Sequence, residues 1–373
     1  MNIMNKLYTA VGLMSGTSAD GIDTSIIQSD GENELFLIKD LFLPYDSDIR
    51  SDIRILKDKI NNSKNLITFN EELIDLEKRL TFLNLKAFEL ILESSKVKRE
   101  NVDIIGCHGQ TIYHSFKDKI SKQLGDGYLL SQLSKTNLVF NFRENDIKNG
   151  GQGAPLTPIY HKLIYKKFRL ENSVLFINIG GITNLTLVDK TNIKSFDSGP
   201  GNCLIDKLVQ IKSNNKILFD KNGETASKGK VNEIILENYL ADPYYEVAPP
   251  KSLDINDFNL SGIRGLSYED SLTTLSELTV RTIYNSSEFF KLKLEKIILC
   301  GGGRKNKYFI NRLSQLFNNL VVNVDEYNID GDFVESQAFA YLAIRNIINK
   351  PVSFKETTGA KNPTIGGKLI KFK

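Results

Sequence analysis

The stretch YTAVGLMSGTSADGIDTSII, residues 8–27, decides the fold class. An apolar run, a short polar turn with glycine, and a second run rich in β-branched residues are typical of a β-hairpin. SVLFINIGGITNLTLVD, residues 173–189, has the same arrangement about half a chain later. One such hairpin is ordinary in any α/β protein. Two of them, opening the two halves with polar residues at both turns, favour a duplicated α/β lobe.

The rest of the chain alternates helical and strand patterns. Apolar positions at helical spacing predict helices over 70–94 and 335–348, and short apolar runs predict strands at 103–105 and 296–299. We therefore predict an N-terminal lobe over residues 1–170 and a C-terminal lobe over 171–373, with the last helix free to pack back on the first lobe. No low-complexity linker marks the boundary between the two lobes, so its position is approximate.

Composition excludes several classes of function. The 373 residues are 41% hydrophobic and 25% charged, which suits two globular domains, and the net charge of +3 provides no general basic field for nucleic acid or an anionic membrane. Neither a signal peptide nor a transmembrane run is predicted. Cys107, Cys203 and Cys300 are too far apart for a zinc or disulfide framework, so we expect a cytoplasmic protein.

The turn SGTSADGID, residues 15–23, is a candidate phosphate site. Its glycines let backbone amides approach phosphate, its hydroxyls add donors, and Asp20 or Asp23 suits Mg²⁺, which keeps much of its water. The GxxxxGK[ST] loop is absent. The alternative is a polar hairpin turn in which Asp and Ser only cap amides, and this motif alone leaves the two about even.

Two further glycine-rich turns lie in the second half. In NIGGITN the glycine pair allows phosphate to meet the backbone, although a plain hairpin with an Asx turn is the better interpretation of that motif alone. CGGGRKN follows an apolar run and allows a flat group such as adenine to lie on backbone, which is weak support in isolation. The candidate contacts are Asn178, Gly180, Gly181, Asn184, Gly301, Gly302 and Gly303.

Asp197 is a candidate general base or metal partner. It precedes the Gly-Pro-Gly turn of DSGPGN, which would fix a carboxylate at a strand end. The alternative is an ordinary helix N-cap aspartate. We favour catalysis, because several glycine-rich turns in one chain rarely serve capping alone.

Sugar-binding candidates come from three polar loops of the first half, GCHGQT, GDG and GGQGAPLTP. His108, Gln110, Arg143 and Asp146 carry groups that bind hydroxyls or a carboxylate. His108 is as well explained as a satisfied loop histidine, and Arg143 as a surface partner of Glu144 or Asp146. Glu335 opens a helix, where a carboxylate often has no special role.

These motifs, in this order, closely resemble the anhydro-N-acetylmuramic acid kinases of the actin/hexokinase/Hsp70-like ATPase superfamily. The matching stretches run from residue 12 to 360 and include GLMSGTSADGID, GCHGQT, GGQGAPLTP, NIGGITNLT, FDSGPGN, APPKS, CGGGRKN and TTGA. The resemblance implies an α/β fold of two RNase H-like lobes with an ATP cleft between them. It implies ATP and Mg²⁺ as cofactors and a small sugar as substrate, with no nucleic-acid or membrane partner. A homodimer is compatible with the sequence.

The resemblance also implies a reaction and its residues. Water attacks the anomeric carbon of the 1,6-anhydro sugar, the bridge opens, and O6 takes the γ-phosphoryl to give N-acetylmuramic acid 6-phosphate for murein recycling. Asp197 is then the base, and His108, Gln110, Arg143 and Glu335 contact the sugar. The implied ATP contacts of the first turn are Gly16, Thr17, Ser18, Ala19, Asp20, Gly21, Ile22 and Asp23, with the metal at Asp20 and Asp23.

One position departs from the family pattern. After PPKS an arginine often follows in the family, whereas this chain has PPKSLDIND with Ile255 at that place. If that arginine contacts substrate or stabilises closure, Lys251 or another cation must substitute for it, or activity is weaker. Two other readings remain open: a kinase of the same superfamily that acts on another sugar or a carboxylate, and a non-catalytic ATP-driven clamp.

Overall fold

The computed structural model describes residues 6–16 and 18–372. By its internal contacts the chain divides into two compact units. The first runs to Arg169 and resumes at Phe333, and the second is Leu170–Asp332. The predicted C-terminal lobe ran to residue 373, but the stretch from Phe333 belongs to the first unit because its helix packs on the first sheet.

The elements follow in chain order. The first unit begins with β1 (Tyr8–Ser15), β2 (Gly21–Ser29), β3 (Leu35–Pro44), α1 (Ser47–Lys59), α2 (Ser63–Thr68), α3 (Asn70–Ser95), β4 (Ile104–Ser115), β5 (Ile120–Leu124), α4 (Gly127–Ser134), β6 (Leu138–Phe140), α5 (Glu144–Lys148) and α6 (Pro158–Lys167). The second unit contains β7 (Val174–Ile179), β8 (Ile182–Val188), β9 (Ile193–Pro200), α7 (Cys203–Lys212), α8 (Glu233–Leu240), α9 (Tyr268–Ser287), β10 (Lys296–Cys300), α10 (Lys307–Leu316) and β11 (Val321–Asn323). The first unit is completed by α11 (Val334–Ile347), α12 (Lys355–Thr358) and β12 (Lys368–Ile370).

The first unit is built on one mixed sheet of order β12-β6-β4-β1-β2-β3, with β5 paired to β4. The strands β1, β2 and β3 form an antiparallel meander, and β4 and β6 continue it in parallel with β1. Side chains alternate across a strand, so β1 serves two layers. Val11 and Leu13 join the core shared with α1 and α3, while Gly12 faces α11.

Two glycines let α11 lie directly on the sheet. Gly12 of β1 and Gly106 of β4 are register partners. A Cβ on Gly12 would stand 1.8 Å from the carbonyl oxygen of Ser336, and a Cβ on Gly106 would stand 2.2 Å from that of Phe339. The helix backbone therefore occupies the space that two side chains would need, which places the first turn of α11 against the sheet.

The second unit repeats the arrangement in a sheet of order β11-β10-β7-β8-β9. The strands β7, β8 and β9 form the antiparallel meander, and β10 and β11 run parallel to β7. Its core joins β7 and β8 to α7, α9 and α10. Both predicted hairpins are present, and the predicted α/β fold with two RNase H-like sheets is confirmed.

Several local predictions were wrong or are refined. GCHGQT is not a loop, since residues 106–111 lie inside the long strand β4, where Gly106 serves the close approach of α11. GDG caps a helix, because the Asp126 carboxylate accepts hydrogen bonds from Tyr128 N and Leu129 N at the start of α4. Among the described residues, no helix is long and apolar enough to cross a membrane.

Candidate active site

The turn between β1 and β2 is held by a buried chain of hydrogen bonds. The Tyr45 hydroxyl donates to Ser15 Oγ at 2.9 Å, and Ser15 Oγ donates to Gln110 Oε1 at 2.6 Å. Gln110 Nε2 then donates to the Gly16 carbonyl at 3.0 Å. Burial raises the pKa of Tyr45, so its hydroxyl remains a donor. Both ends of the Gln110 amide are thus used to position the turn, and its predicted sugar contact stays a prediction.

The residues of the candidate ATP turn differ in their exposure to solvent. Ser18 and Asp20 are exposed at the tip, where Ser18 Oγ donates to Asp20 Oδ1 at 2.7 Å. Ala19 takes the left-handed conformation with φ 53°. Gly21, Ile22 and Asp23 lie in β2, and the Ile22 side chain is in the core. Thr17 lies outside the described residues.

The carboxylates of this turn suit a loosely held cation. Asp20 and Asp23 both lie close enough to the Tyr45 hydroxyl to raise its pKa, after the larger effect of burial. Within residues 6–16 and 18–372, no three His, Cys, Asp or Glu side chains converge as a metal cage. Carboxylate oxygens are donors that Mg²⁺ accepts beside waters and phosphate oxygens, and the metal site at Asp20 and Asp23 stays a prediction.

His108 is buried and holds Arg143. Its Nδ1 lies 2.8 Å from the Gly109 carbonyl, an acceptor, so Nδ1 carries the proton and Nε2 accepts from Arg143 Nε at 3.1 Å. Burial, then the neighbouring guanidinium, hold the pKa of His108 well below its usual value. Arg143 Nη1 donates to the Gly153 carbonyl at 2.7 Å. The neutral imidazole therefore helps to orient Arg143, which is half-buried.

Asp146 has a structural role in place of the suggested sugar contact. Its carboxylate is fully buried and accepts from Gly153 N at 2.7 Å and from Thr358 Oγ1 at 2.6 Å. Ser353 Oγ donates to it as well. The aspartate thereby ties the GGQGAP loop to the TTGA segment near α12.

Glu335 lies in the first turn of α11 and is half-buried. The next two residues fix that turn. Ser336 Oγ lies 2.6 Å from Ser25 Oγ, and Gln337 Nε2 donates to Asp40 at 3.1 Å. Since the helix backbone also rests on Gly12, the position of Glu335 is set by the sheet of the first unit.

Candidate residues of the second unit form a row across its sheet. Asn178 of β7 pairs with Asn184 of β8, and Asn184 pairs with Asp197 of β9. Cys300, which precedes the three glycines, pairs with Asn178 on the other side. Paired residues of neighbouring strands project on one face, so three motifs distant in sequence meet there. Asn184 Oδ1 is buried and has no hydrogen-bond partner among the described residues.

Asp197 is held by one segment, residues 244–253. The Tyr244 hydroxyl donates to the Asp197 carbonyl at 2.6 Å, and Asp197 N donates to the Lys251 carbonyl at 3.0 Å. Leu253 N donates to Asp197 Oδ2 at 2.9 Å. Asp197 is 5% exposed and lies within β9, so it is not the N-cap considered as the alternative.

The glycine turns of this unit are packed against one another. Gly201 N donates to the Gly181 carbonyl at 2.9 Å, and Asn202 N donates to the Gly180 carbonyl at 2.8 Å. Gly301 lies so close to Asn178 that a Cβ would stand 2.5 Å from its Oδ1. A Cβ on Gly302 would meet no heavy atom of the described residues within 4 Å, its chain neighbours aside. Gly302 is therefore the glycine of that turn with open space before it.

Arg304 fixes the three-glycine turn. It is 2% exposed, and its guanidinium donates to Asp325 at 2.7 Å and to Asp330 at 3.0 Å, with a further bond to Asp332. Gly301 N donates to the Gly331 carbonyl at 3.2 Å. Sequence analysis missed Tyr45, the Lys251 contacts and this cluster, because each joins residues distant in the chain.

The two repeated sheets, with glycine turns after the first strand of each, define an α/β protein of the actin/hexokinase-like class. Comparison with known proteins gives the family. The family model described as anhydro-N-acetylmuramic acid kinase matches residues 8–371. The chain belongs to the anhydro-N-acetylmuramic acid kinase family.

Relatives of that name span nearly the whole chain. The protein from Pelagibacter ubique is 47% identical, with 99% of this chain and 100% of the relative covered. Those from Rhizobium johnstonii and Zymomonas mobilis are 37% and 34% identical, covering 98% and 96% of this chain and 99% of each relative. The predictions of family and of kinase activity are thereby confirmed.

Solved structures are similar at a greater distance. Component A of (R)-2-hydroxyglutaryl-CoA dehydratase from Acidaminococcus fermentans has a TM-score of 0.47 at 10% identity, covering 91% of this chain and 99% of that one. A ROK hexokinase from Thermus thermophilus has a TM-score of 0.37 at 10% identity, covering 90% and 99%.

Proposed function

We propose that the chain is an ATP-dependent kinase that opens 1,6-anhydro-N-acetylmuramic acid with water and phosphorylates O6. The products are N-acetylmuramic acid 6-phosphate and ADP, which places the enzyme in murein recycling. The observation that carries the proposal is the family match over residues 8–371. The row of Asn178, Asn184 and Asp197 supports it, since it sets a buried carboxylate beside two amides.

Asp197 acts as the base in this proposal. It takes a proton from the water that attacks the anomeric carbon, as the single carboxylate base does in inverting glycoside hydrolysis. Leu253 N donates to Oδ2 at 2.9 Å, which restrains the orientation of the carboxylate. The C1–O6 bond breaks as the new C1–O bond forms, and the strain of the bicyclic sugar is released.

The freed O6 attacks the γ-phosphorus of ATP. Transfer of a phosphoryl group depends on alignment and on neutralised charge, with little covalent work for the protein. Asp20 and Asp23 would hold Mg²⁺, which supplies positive charge to the phosphates when bound. The proposed nucleotide contacts are the turn residues Gly16–Asp23, Asn178, Gly180, Gly181 and Asn184, with the Gly301–Gly303 turn beside adenosine.

The first unit provides the proposed sugar contacts. Arg143 is oriented by neutral His108 and suits the lactyl carboxylate of the substrate, while Glu335 suits hydroxyls. Gln110 acts through the turn that it holds. In this arrangement His108 is a positioning residue, since both of its ring nitrogens are engaged.

Lys251 does not replace the arginine that the family often has at position 255. Its ammonium donates to the Tyr244 and Tyr245 carbonyls at 2.9 and 3.3 Å and is buried. Ile255 lies in a short 3₁₀ turn, Ile255–Asp257. If that position matters for turnover, Ile255→Arg should raise kcat/KM for the sugar.

A substrate panel separates the candidate functions. ADP release is measured with Mg²⁺-ATP and the anhydro sugar, with glucose, N-acetylglucosamine and acetate, and with unfolded protein as a stimulant. We expect release with the anhydro sugar alone. Preference for another sugar or acetate would favour a different kinase of the superfamily, and stimulation by protein would favour an ATP-driven clamp.

A further inference from the structure

We propose that Lys251 is a positioning residue for the base Asp197. Its buried ammonium joins the two ends of the segment 244–253 by hydrogen bonds, and that segment makes three hydrogen bonds to Asp197. The inference rests on the proposed function, in which Asp197 activates water.

The first observation is the way in which one segment surrounds the aspartate. Tyr244 OH, the Lys251 carbonyl and Leu253 N bond to the carbonyl, the amide and the carboxylate of Asp197. These partners lie at both ends of the segment. Their spacing therefore depends on whatever holds the two ends together.

The second observation is that the Lys251 ammonium joins those ends. From one end of the segment it donates to the carbonyls of Tyr244 and Tyr245 at the other. It also lies 4.4 Å from the ring centroid of Tyr244, 4.9 Å from that of Phe289 and 5.7 Å from that of Phe196. Phe196 precedes Asp197, so this cation–π contact anchors the ammonium on β9 itself.

The third observation is the cost of the arrangement. Lys251 is 4% exposed, and in the described part of the chain it forms no ion pair with a carboxylate. Among the residues that the structure describes, carbonyl dipoles and aromatic faces alone meet its positive charge. Burial accordingly lowers the pKa of Lys251 to about 8. A methionine would fill an aromatic cage without this desolvation, so packing alone does not account for an ammonium there.

The charged form can be followed by pH. The titratable residues at the Lys251 ammonium are Tyr244 and Tyr245 of its own segment, whose carbonyls it bonds. From β9, Asp197 meets Lys251 through backbone, since its amide donates to the Lys251 carbonyl. Burial raises the pKa of both tyrosines far above that of Lys251. Loss of the Lys251 proton above about pH 8 should therefore weaken its bonds, and kcat should decline there.

The test compares Lys251→Met and Lys251→Arg with the control Lys194→Met, which makes the same change at an exposed position of β9. For each protein, kcat and both KM values are measured by ADP release from about pH 6 to 9.5, and Mg²⁺-ATP affinity by calorimetry. We expect Lys251→Met to lose about 100-fold in kcat, as for a reacting group displaced by about 1 Å. Both KM values should stay within about threefold, because the Lys251 ammonium bonds to the Tyr244 and Tyr245 carbonyls and acts through the protein.

The pH profile and the conservative variant complete the test. The decline of kcat near pH 8 should vanish in Lys251→Met and move above pH 9.5 in Lys251→Arg, which should recover at least a tenth of the wild-type kcat. Lys194→Met should match the wild type. A Lys251→Met variant with kcat within threefold of wild type, or with the decline near pH 8 intact, would overturn the proposal.

Folding and function failures are distinguishable. If Lys251→Met does not bind Mg²⁺-ATP, the pH dependence of kcat in the wild-type protein tests the proposal instead. A wild-type kcat that stays constant from pH 7.5 to 9 contradicts the proposal. Wild-type protein that releases no ADP with the anhydro sugar overturns the proposed function and the proposal with it. An active wild type with an equally active Lys251→Met variant overturns the positioning role alone.

Discussion

Gly12→Ala tests whether the close seating of α11 on the sheet sets the candidate site of the first unit. The added Cβ would stand 1.8 Å from the Ser336 carbonyl oxygen and 2.7 Å from Ala340 N. To reach 3.0 Å from that oxygen, the two backbones must separate by at least 1.2 Å. The obstacle is backbone, which cannot rotate away, so the variant should lose about 3 kcal/mol of unfolding free energy, the upper part of the usual overpacking range.

The same displacement reaches Glu335, which adjoins Ser336 at the start of α11. A shift of about 1 Å in a substrate-positioning group lowers turnover by about 100-fold, and we expect that loss in kcat/KM for the sugar. Stability is measured by urea unfolding, and helix seating by hydrogen exchange of the α11 amides, which should quicken. Mg²⁺-ATP binding by calorimetry verifies that the variant is folded.

Gly302→Ala is the matched control, because its added Cβ has no heavy atom within 4 Å in residues 6–16 and 18–372 apart from its chain neighbours. Its unfolding free energy should stay within about 0.5 kcal/mol of wild type. Wild-type stability and wild-type exchange of α11 in Gly12→Ala would refute the account of this helix. A stable variant with altered exchange and unchanged kcat/KM would refute only the role given to Glu335.

Three more outcomes are expected. Asp197→Asn should bind Mg²⁺-ATP with wild-type affinity in calorimetry. It should lose at least about 1,000-fold in kcat, since general-base catalysis contributes up to about 10⁴-fold. Near-normal turnover would show that Asp197 is not the base. Gln110→Leu leaves the Gly16 carbonyl without its donor and should raise KM for ATP more than KM for the sugar, and the reverse order would place Gln110 at the sugar. Finally, unfolding free energy should fall as pH drops below 6.5, by about 1.4 kcal/mol per pH unit for each histidine whose pKa is lowered in the folded protein. The unfolded chain binds protons there that the folded chain does not. Urea midpoints at pH 7 and 5 measure this, and equal midpoints would contradict the lowered pKa values of His108, His114 and His161.

Local patterns predicted the strands and turns well, because residues adjacent in the sequence determine hairpins and strand-to-helix turns. SGTSADGID and NIGGITN join antiparallel strands as expected. CGGGRKN follows β10 and precedes α10. These motifs also carried the family resemblance, so the fold class and the kinase family were accessible from the sequence.

Other features depend on contacts between distant residues and were not predictable in this way. GCHGQT was interpreted as a loop because it is polar and has two glycines, yet Gly106 is needed for the approach of α11 from the far end of the chain. Tyr45 supports Ser15 across the first sheet, and Lys251 finds its aromatic cage only when β9 and the segment 244–253 meet. The same reason explains why residues from Phe333 onward belong to the first unit.

The central claim, that ring opening and phosphorylation occur in one reaction, is tested most directly by the mass of the product. The protein is incubated with Mg²⁺-ATP and 1,6-anhydro-N-acetylmuramic acid, and ADP release is followed. The mass of the sugar product is then measured by mass spectrometry. The account predicts a product heavier than the substrate by one phosphate (HPO₃) and one water. A gain of phosphate alone would contradict it, because an existing hydroxyl would then be the acceptor and Asp197 would have no water to activate.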